Sequence, residues 1–140
     1  MNSAAPILEL NFRSKADQLQ KVRCAVRAAV ERLGFPPDDV NCIVLAVNEA
    51  CMNIIQHAYG VTTEGDIILE MFDEPDAVVF RLTDFAAPIK KERIKSRDLD
   101  DLRPGGLGVH LMTQVMDEVD FRNDPEGIGN TLHMKRYKRR

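Results

Sequence analysis

Three polar residues stand four apart near the middle of the chain: Glu49, Asn53 and His57, within VLAVNEACMNIIQHAYG. On a helix of 3.6 residues per turn, each step of four turns only about 40° past a full turn. A carboxylate, a carboxamide and an imidazole therefore stack along one side. A carboxylate one turn from an amide oxygen can serve as a general base beside a hard, oxygen-seeking cation such as Mg²⁺. Taken alone, the same spacing also describes the solvated face of an ordinary amphipathic helix. Two further stretches carry chemistry. Gly105-Gly106-Leu107-Gly108 opens a predicted helix, where glycine lets backbone amides approach an anion and the helix N-terminus adds unpaired N–H groups. No Gly-Lys-Ser/Thr follows, which excludes a Walker A loop, and no βαβ unit frames it as a dinucleotide fingerprint. Asp84 leaves the apolar run VVFRLTD beside Phe85-Ala86-Ala87-Pro88, where its carboxylate either accepts from a nucleobase amine or is a solvated turn residue.

The elements that must position these residues follow from local pattern. Leu8, Leu10 and Phe12 alternate with Glu9 and Asn11 and predict a half-buried strand over 7–12. Ser14 stands three residues before Asp17, near a capping-box spacing, at the start of a helix predicted over 15–33. Leu19, Val22, Val26, Val30 and Leu33 form its buried stripe, and Gly34 ends it. After the rigid Phe35-Pro36-Pro37, Asp38 and Asp39 suit the positive N-terminal turn of the helix that carries Glu49 and Asn53. Its apolar stripe is Ile43, Val47, Ala50, Ile54 and Ala58. Strands are predicted over 66–72 and 77–83, with a hairpin turn at Glu74-Pro75-Asp76. A charged loop covers 90–103, a third helix 109–116, and two last strands 120–122 and 131–137 flank Asp124-Pro125-Glu126-Gly127. The order β-α-α-β-β-loop-α-β-β predicts an α+β two-layer sandwich: a mixed, mostly antiparallel sheet with one face under about three helices.

Length and composition set bounds. At 140 residues the chain reads as one domain spanning 1–140, and a net charge of −3 supplies no global attraction to nucleic acid or membrane. Cys24, Cys42 and Cys51 form no Cys-x-x-Cys pair, so zinc is not expected, and reduced thiols suit a cytoplasmic protein. Neither a leader pattern nor a membrane-length apolar run is present in the sequence. The basic tail from Lys135 to Arg140 reads as a solvated chain end rather than an RNA contact.

The order of the three chemical motifs resembles the GHKL, or Bergerat, ATP-binding fold. Glu49-x-x-x-Asn53 resembles its N box, Asp84-x-Ala86-x-Pro88 its first glycine box and Gly106-x-Gly108 its second. The phrases AVNEACMNIIQHAYG and GGLGVHLMTQVMDEV are similar to those of the anti-sigma-factor serine/threonine kinases of bacterial partner-switching systems. The resemblance implies ATP and Mg²⁺ as cofactors. It makes Glu49 the base for a partner's hydroxyl, Asn53 the Mg²⁺ ligand and Asp84 the reader of the adenine amine. Gly105, Gly106, Leu107 and Gly108 wrap the phosphates, Thr131 lies near the nucleotide, and residues 90–103 form a lid from which Arg103 can reach the γ-phosphate. His57 is usual in the motif and is assigned packing or hydrogen bonding. Implied partners are an anti-sigma-factor antagonist of the STAS type and a sigma factor or other output protein. Direct nucleic-acid or membrane contact is not implied, and a homodimer is an allowed arrangement. Ala86 departs from the family's D-x-G. If that position needs positive φ or close contact with the base, the methyl weakens binding and favours a non-catalytic binding module. A detached histidine-kinase ATPase domain is the third alternative.

Overall fold

Backbone and side-chain positions come from a computed structural model, which describes residues 5–59, 64–86, 111–123 and 129–138. The alternation around Leu8 forms strand β1 (Leu8–Arg13), with Phe12 buried. A 3₁₀ turn (Ala16–Gln18) leads into helix α1 (Leu19–Arg32), whose buried residues Leu19, Val22, Val26, Ala29 and Val30 include four of the five predicted stripe positions. Leu33 packs against the same core, half-buried. Gly34, at φ +92°, supplies the left-handed residue that stops α1, and its N–H donates to the Glu31 carbonyl at 3.0 Å. Pro36 stays extended, Pro37 opens helix α2 (Pro37–Asn53), and Asp38 and Asp39 occupy its first turn as expected.

Strands β2 (Asp66–Asp73) and β3 (Ala77–Asp84) form the predicted hairpin, closed by Glu74 N–H to the Ala77 carbonyl at 2.9 Å. Residues 111–115 are helical, and β4 (Glu118–Asn123) and β5 (Asn130–Tyr137) follow. The sheet order is β1-β2-β3-β5-β4. The predicted two-layer α+β arrangement is present, but all four pairings are antiparallel, so the described sheet is not mixed. Short connections make antiparallel pairing the direct outcome for β2–β3 and β4–β5, while β1–β2 and β3–β5 join strands far apart in the chain.

Alternation gives the sheet two unlike faces. Ile67, Leu69, Met71, Phe80, Leu82, Leu132 and Met134 bury one face with Val22, Val26, Val30, Ile43 and Val47 of the helices. Glu70, Arg81, His133 and Asp120 lie in register on the other, where Arg81 pairs with Glu70 at 2.7 Å.

Three local expectations change. Ser14 does not cap α1. Its N–H donates to the Gly65 carbonyl at 2.8 Å and its Oγ accepts from Gly65 N–H at 3.0 Å, so it extends the β1–β2 pairing instead. The helix after Glu49 is not α throughout: Ile54–Tyr59 is π-helical, so the step from Asn53 to His57 leaves the 3.6-residue repeat. The His57 side chain lies outside the described set. The basic tail is tied rather than solvated at Lys135, Arg136 and Lys138. Lys135 pairs with Glu74 at 3.4 Å, Lys138 with Asp73 at 2.6 Å, and Arg136 is buried.

Candidate functional site

Arg136 fixes where α2 begins. Its Nη1 donates to the Val115 carbonyl at 2.7 Å and its Nη2 lies 3.2 Å from the Asp39 carboxylate. The N-terminal turn of α2 is thus held near the last residues of β5. Asn130, at the other end of β5, is about 20 Å away at ~3.4 Å per strand residue. From Asp39 to Asn53, α2 covers about 21 Å at ~1.5 Å per residue. α2 therefore starts at the end of β5 far from Asn130 and is about as long as the strand path to it.

Glu49 and Asn53 are one turn apart on α2 and half-buried. Val47, Ala50, Cys51 and Ile54 around them are buried and set the helix face. Burial pushes the Cys51 thiol up to about 12, which makes it an inert packing residue. Both the Oδ1 and Nδ2 atoms of Asn53 are buried and have no hydrogen-bond partner among the described residues. A buried polar group left unsatisfied costs about 1–3 kcal/mol, so this carboxamide is poised for a ligand. The π turn begins directly after it, and such turns are common at functional sites. Among the described residues, His, Cys, Asp and Glu nowhere gather in threes to hold a metal. The oxygen of Asn53, with phosphate and water oxygens completing the shell, fits Mg²⁺, which keeps several waters and takes few protein ligands.

Asp84 ends β3 and is not a solvated turn residue: it is 2% exposed. It faces Ile67 on β2 and Asn130 on β5. Its Oδ1 accepts from Asn130 Nδ2 at 2.8 Å and from the Ala86 N–H at 3.0 Å. Oδ2 takes part in neither bond. Burial raises the Asp84 carboxyl above its ordinary value, and the two donors oppose that rise by favouring the charged form. A carboxyl raised in the folded state binds protons more readily there than in the unfolded chain. Its contribution to stability is present below the ordinary carboxylate range and is lost as pH rises through the raised value. At neutral pH the buried charge is therefore a cost retained at the site. Asp84→Asn is expected to raise the urea midpoint at pH 7 and to remove that pH dependence. It should also weaken adenine-nucleotide binding about 10- to 100-fold, the worth of a hydrogen bond to a charged acceptor. Paired unfolding and nucleotide titrations check both halves.

Gly129 precedes Asn130 at φ +83°, and a Cβ there would fall 2.0 Å from the Asp84 carbonyl oxygen. The backbone before β5 thus lies directly on Asp84. Ala86 meets the first part of the concern raised by its methyl, the need for positive φ. No non-glycine residue among those described has positive φ, and the Ala86 N–H already serves Asp84. Ala86→Gly is expected to give no more than a twofold change in nucleotide affinity. It should lower stability by about 0.4–1 kcal/mol through added freedom of the unfolded chain; calorimetry and urea unfolding test this.

Thr131 lies one residue past Asn130 on β5. It pairs with Thr83, one register step from Asp84–Asn130, and its side chain is on the face away from the helices. Asn130 is the residue of β5 that stands beside Asp84. Gly129 and Asn130 carry no expectation from the sequence, where their signal is a glycine followed by a polar residue at a strand start. Pro88, Arg103, Gly105, Gly106, Leu107, Gly108, the 90–103 loop and the turn at 124–127 lie outside the described residues. Among the described residues, no helix is long and apolar enough to cross a membrane.

Comparison with known proteins agrees with this arrangement. The serine-protein kinase RsbW of Bacillus velezensis is 28% identical over 98% of this chain and 89% of its own length. A chain of the Pseudomonas aeruginosa SiaB–SiaC complex superposes with a TM-score of 0.60 at 14% identity, covering 95% of this chain and 91% of that one. The mycobacterial sensor histidine kinase MprB gives a TM-score of 0.56 at 14% identity, covering 93% and 97%. These structural likenesses establish the α+β fold. Residues 12–136 match the family of histidine kinase-like ATPase domains, and the chain belongs to it.

Proposed function

We propose that the chain is an ATP- and Mg²⁺-dependent serine/threonine protein kinase of the anti-sigma type, acting as one cytoplasmic ATPase domain. Its acceptor is a small anti-sigma-antagonist protein of the STAS type, and its other partner is a sigma factor or another output protein. The observation that carries this reading is the unpartnered, buried Asn53 carboxamide one helical turn from Glu49. The similarity over nearly the full length to a protein named as a serine-protein kinase supports it.

In this reading Asp84 accepts a hydrogen bond from the adenine amine, and residues 105–108 wrap the phosphates with backbone N–H groups. The Asn53 oxygen would hold Mg²⁺, which would supply charge neutralisation at the phosphates. The acceptor's hydroxyl oxygen forms a bond to the γ-phosphorus as the bond to the β–γ bridging oxygen breaks. The hydroxyl proton passes to Glu49, and ADP leaves with the electron pair. Little covalent chemistry falls to the protein, whose work is positioning and electrostatics. The absence of left-handed strain at Ala86 supports the kinase reading over a non-catalytic module.

The test is transfer of labelled γ-phosphate from ATP to an antagonist protein recovered with this chain from its native cell. Serine or threonine phosphorylation supports the reading. Absence of ATP binding at millimolar nucleotide overturns it. Binding of ATP and of the antagonist without transfer replaces it with the binding-module alternative.

A further inference from the structure

We propose that Asn130 sets the nucleobase preference of this site by keeping Asp84 a charged, fixed acceptor. The inference rests on the proposed nucleotide reading and adds a residue to it. Asn130 is 2% exposed and directly opposite Asp84 in the β3–β5 register. Its position is keyed to Asp84 by the preceding Gly129, whose backbone lies against the Asp84 carbonyl too closely for any side chain. The carboxamide presents Nδ2 to Oδ1 at 2.8 Å. With the Ala86 N–H also on Oδ1, that oxygen is pinned and the plane of the carboxylate is set.

The consequence for recognition is chemical. An ionised Asp84 can only accept, which suits the exocyclic amine of adenine. A protonated Asp84 can donate, which suits the carbonyl that guanine carries at the same ring position. Anything that lets Asp84 take a proton therefore erodes the preference for adenine over guanine. Burial pushes the carboxyl toward protonation; Asn130 and the Ala86 N–H oppose it. Across the sheet on the β2 side stands apolar Ile67, and among the described residues no charged group contributes to the shift. Asn130 is thus the only side chain among those described that holds Asp84 ionised.

Two variants test this: Asn130→Ala, which removes the donor, and Asn130→Asp, which keeps the shape but puts a second carboxyl against Asp84. The first readout is the Asp84 carboxyl carbon followed by NMR from pH 3 to 8 without nucleotide. Its midpoint should rise by about one pH unit in Asn130→Ala. In Asn130→Asp the two carboxyls should share a proton and titrate as a pair, with one step raised further. The second readout is the ratio of GTP to ATP dissociation constants at pH 6 and pH 8. That ratio should fall about 10-fold in the variants at pH 6 and recover toward the wild-type value at pH 8 in Asn130→Ala. An unmoved Asp84 midpoint overturns the proposal. So does a moved midpoint with an unchanged ratio, which would leave Asn130 a packing residue. Should Asn130→Ala fail to fold, Asn130→Asp decides by the same readouts. Wild-type protein that binds neither nucleotide overturns the nucleotide reading itself, a result distinct from wild-type binding with unaltered variant preference.

Discussion

Glu49→Ala lowers phosphoryl transfer to the antagonist protein by about 10²–10⁴-fold, the usual contribution of general-base assistance, while ATP affinity changes less than threefold. The split follows from position. Glu49 is one turn before Asn53, and in the proposed reading it takes the hydroxyl proton without holding the nucleotide. Asn53→Ala is the contrasting variant. It removes the orphaned carboxamide, so its effect falls on the Mg²⁺ dependence of nucleotide binding. Single-turnover transfer and nucleotide titration on both variants separate the two roles. Equal transfer by wild type and Glu49→Ala would remove Glu49 as the base.

Gly129→Ala destabilises the chain by about 3–5 kcal/mol, the range reserved for named packing and backbone faults. Two costs combine. The residue is at φ +83°, and its new methyl would need space already taken by the Asp84 carbonyl at 2.0 Å and Phe85 Cα at 3.0 Å. Gly34→Ala is an internal control, because Gly34 is also left-handed, at φ +92°, but has nothing within 4 Å. It should lose only about 1–2 kcal/mol, the strain alone. Urea unfolding of both gives the difference. If Gly129→Ala costs no more than Gly34→Ala, the close approach to Asp84 is not rigid. Surviving Gly129→Ala protein should also bind adenine nucleotide poorly, since any relief of the clash shifts Asp84.

Much of the fold was legible because its signals are local. Alternation at Leu8, Leu10 and Phe12 and the stripe of Val22, Val26 and Val30 are set within a few residues, and their elements formed as expected. The Asp38–Asp39 start of α2 and the stop at Gly34 are likewise short-range chemistry. Ser14 and Asn130 were misjudged for the opposite reason. The partner of Ser14 is 51 residues away and that of Asn130 is 46 away, so nothing adjacent marks their roles. Ser14 looks like a cap until Gly65 is brought beside it. Thr131 looked like the site residue because motif order counts positions along the chain. The strand register sets Asn130 opposite Asp84 and Thr131 opposite Thr83. The π turn after Asn53 was unreadable, since the apolar spacing there suits an α-helix as well.

The Arg136 clasp makes the chain unequally tolerant of changes in length. With Asp39 held at one end, the position of Glu49 is a count of residues along α2. One residue inserted between them would advance Glu49 by about 1.5 Å and swing it by about 100°. That would turn the carboxylate away from the hydroxyl it serves while leaving the helix intact. An insertion in the Glu74–Asp76 hairpin turn disturbs no such count, because β2 and β3 keep their register on either side of it. Lineages of this chain should therefore vary in length at that hairpin and hold the interval from Asp39 to Asn53 constant. A library of single-residue insertions scored for folding and for transfer should recover folded but inactive variants within α2.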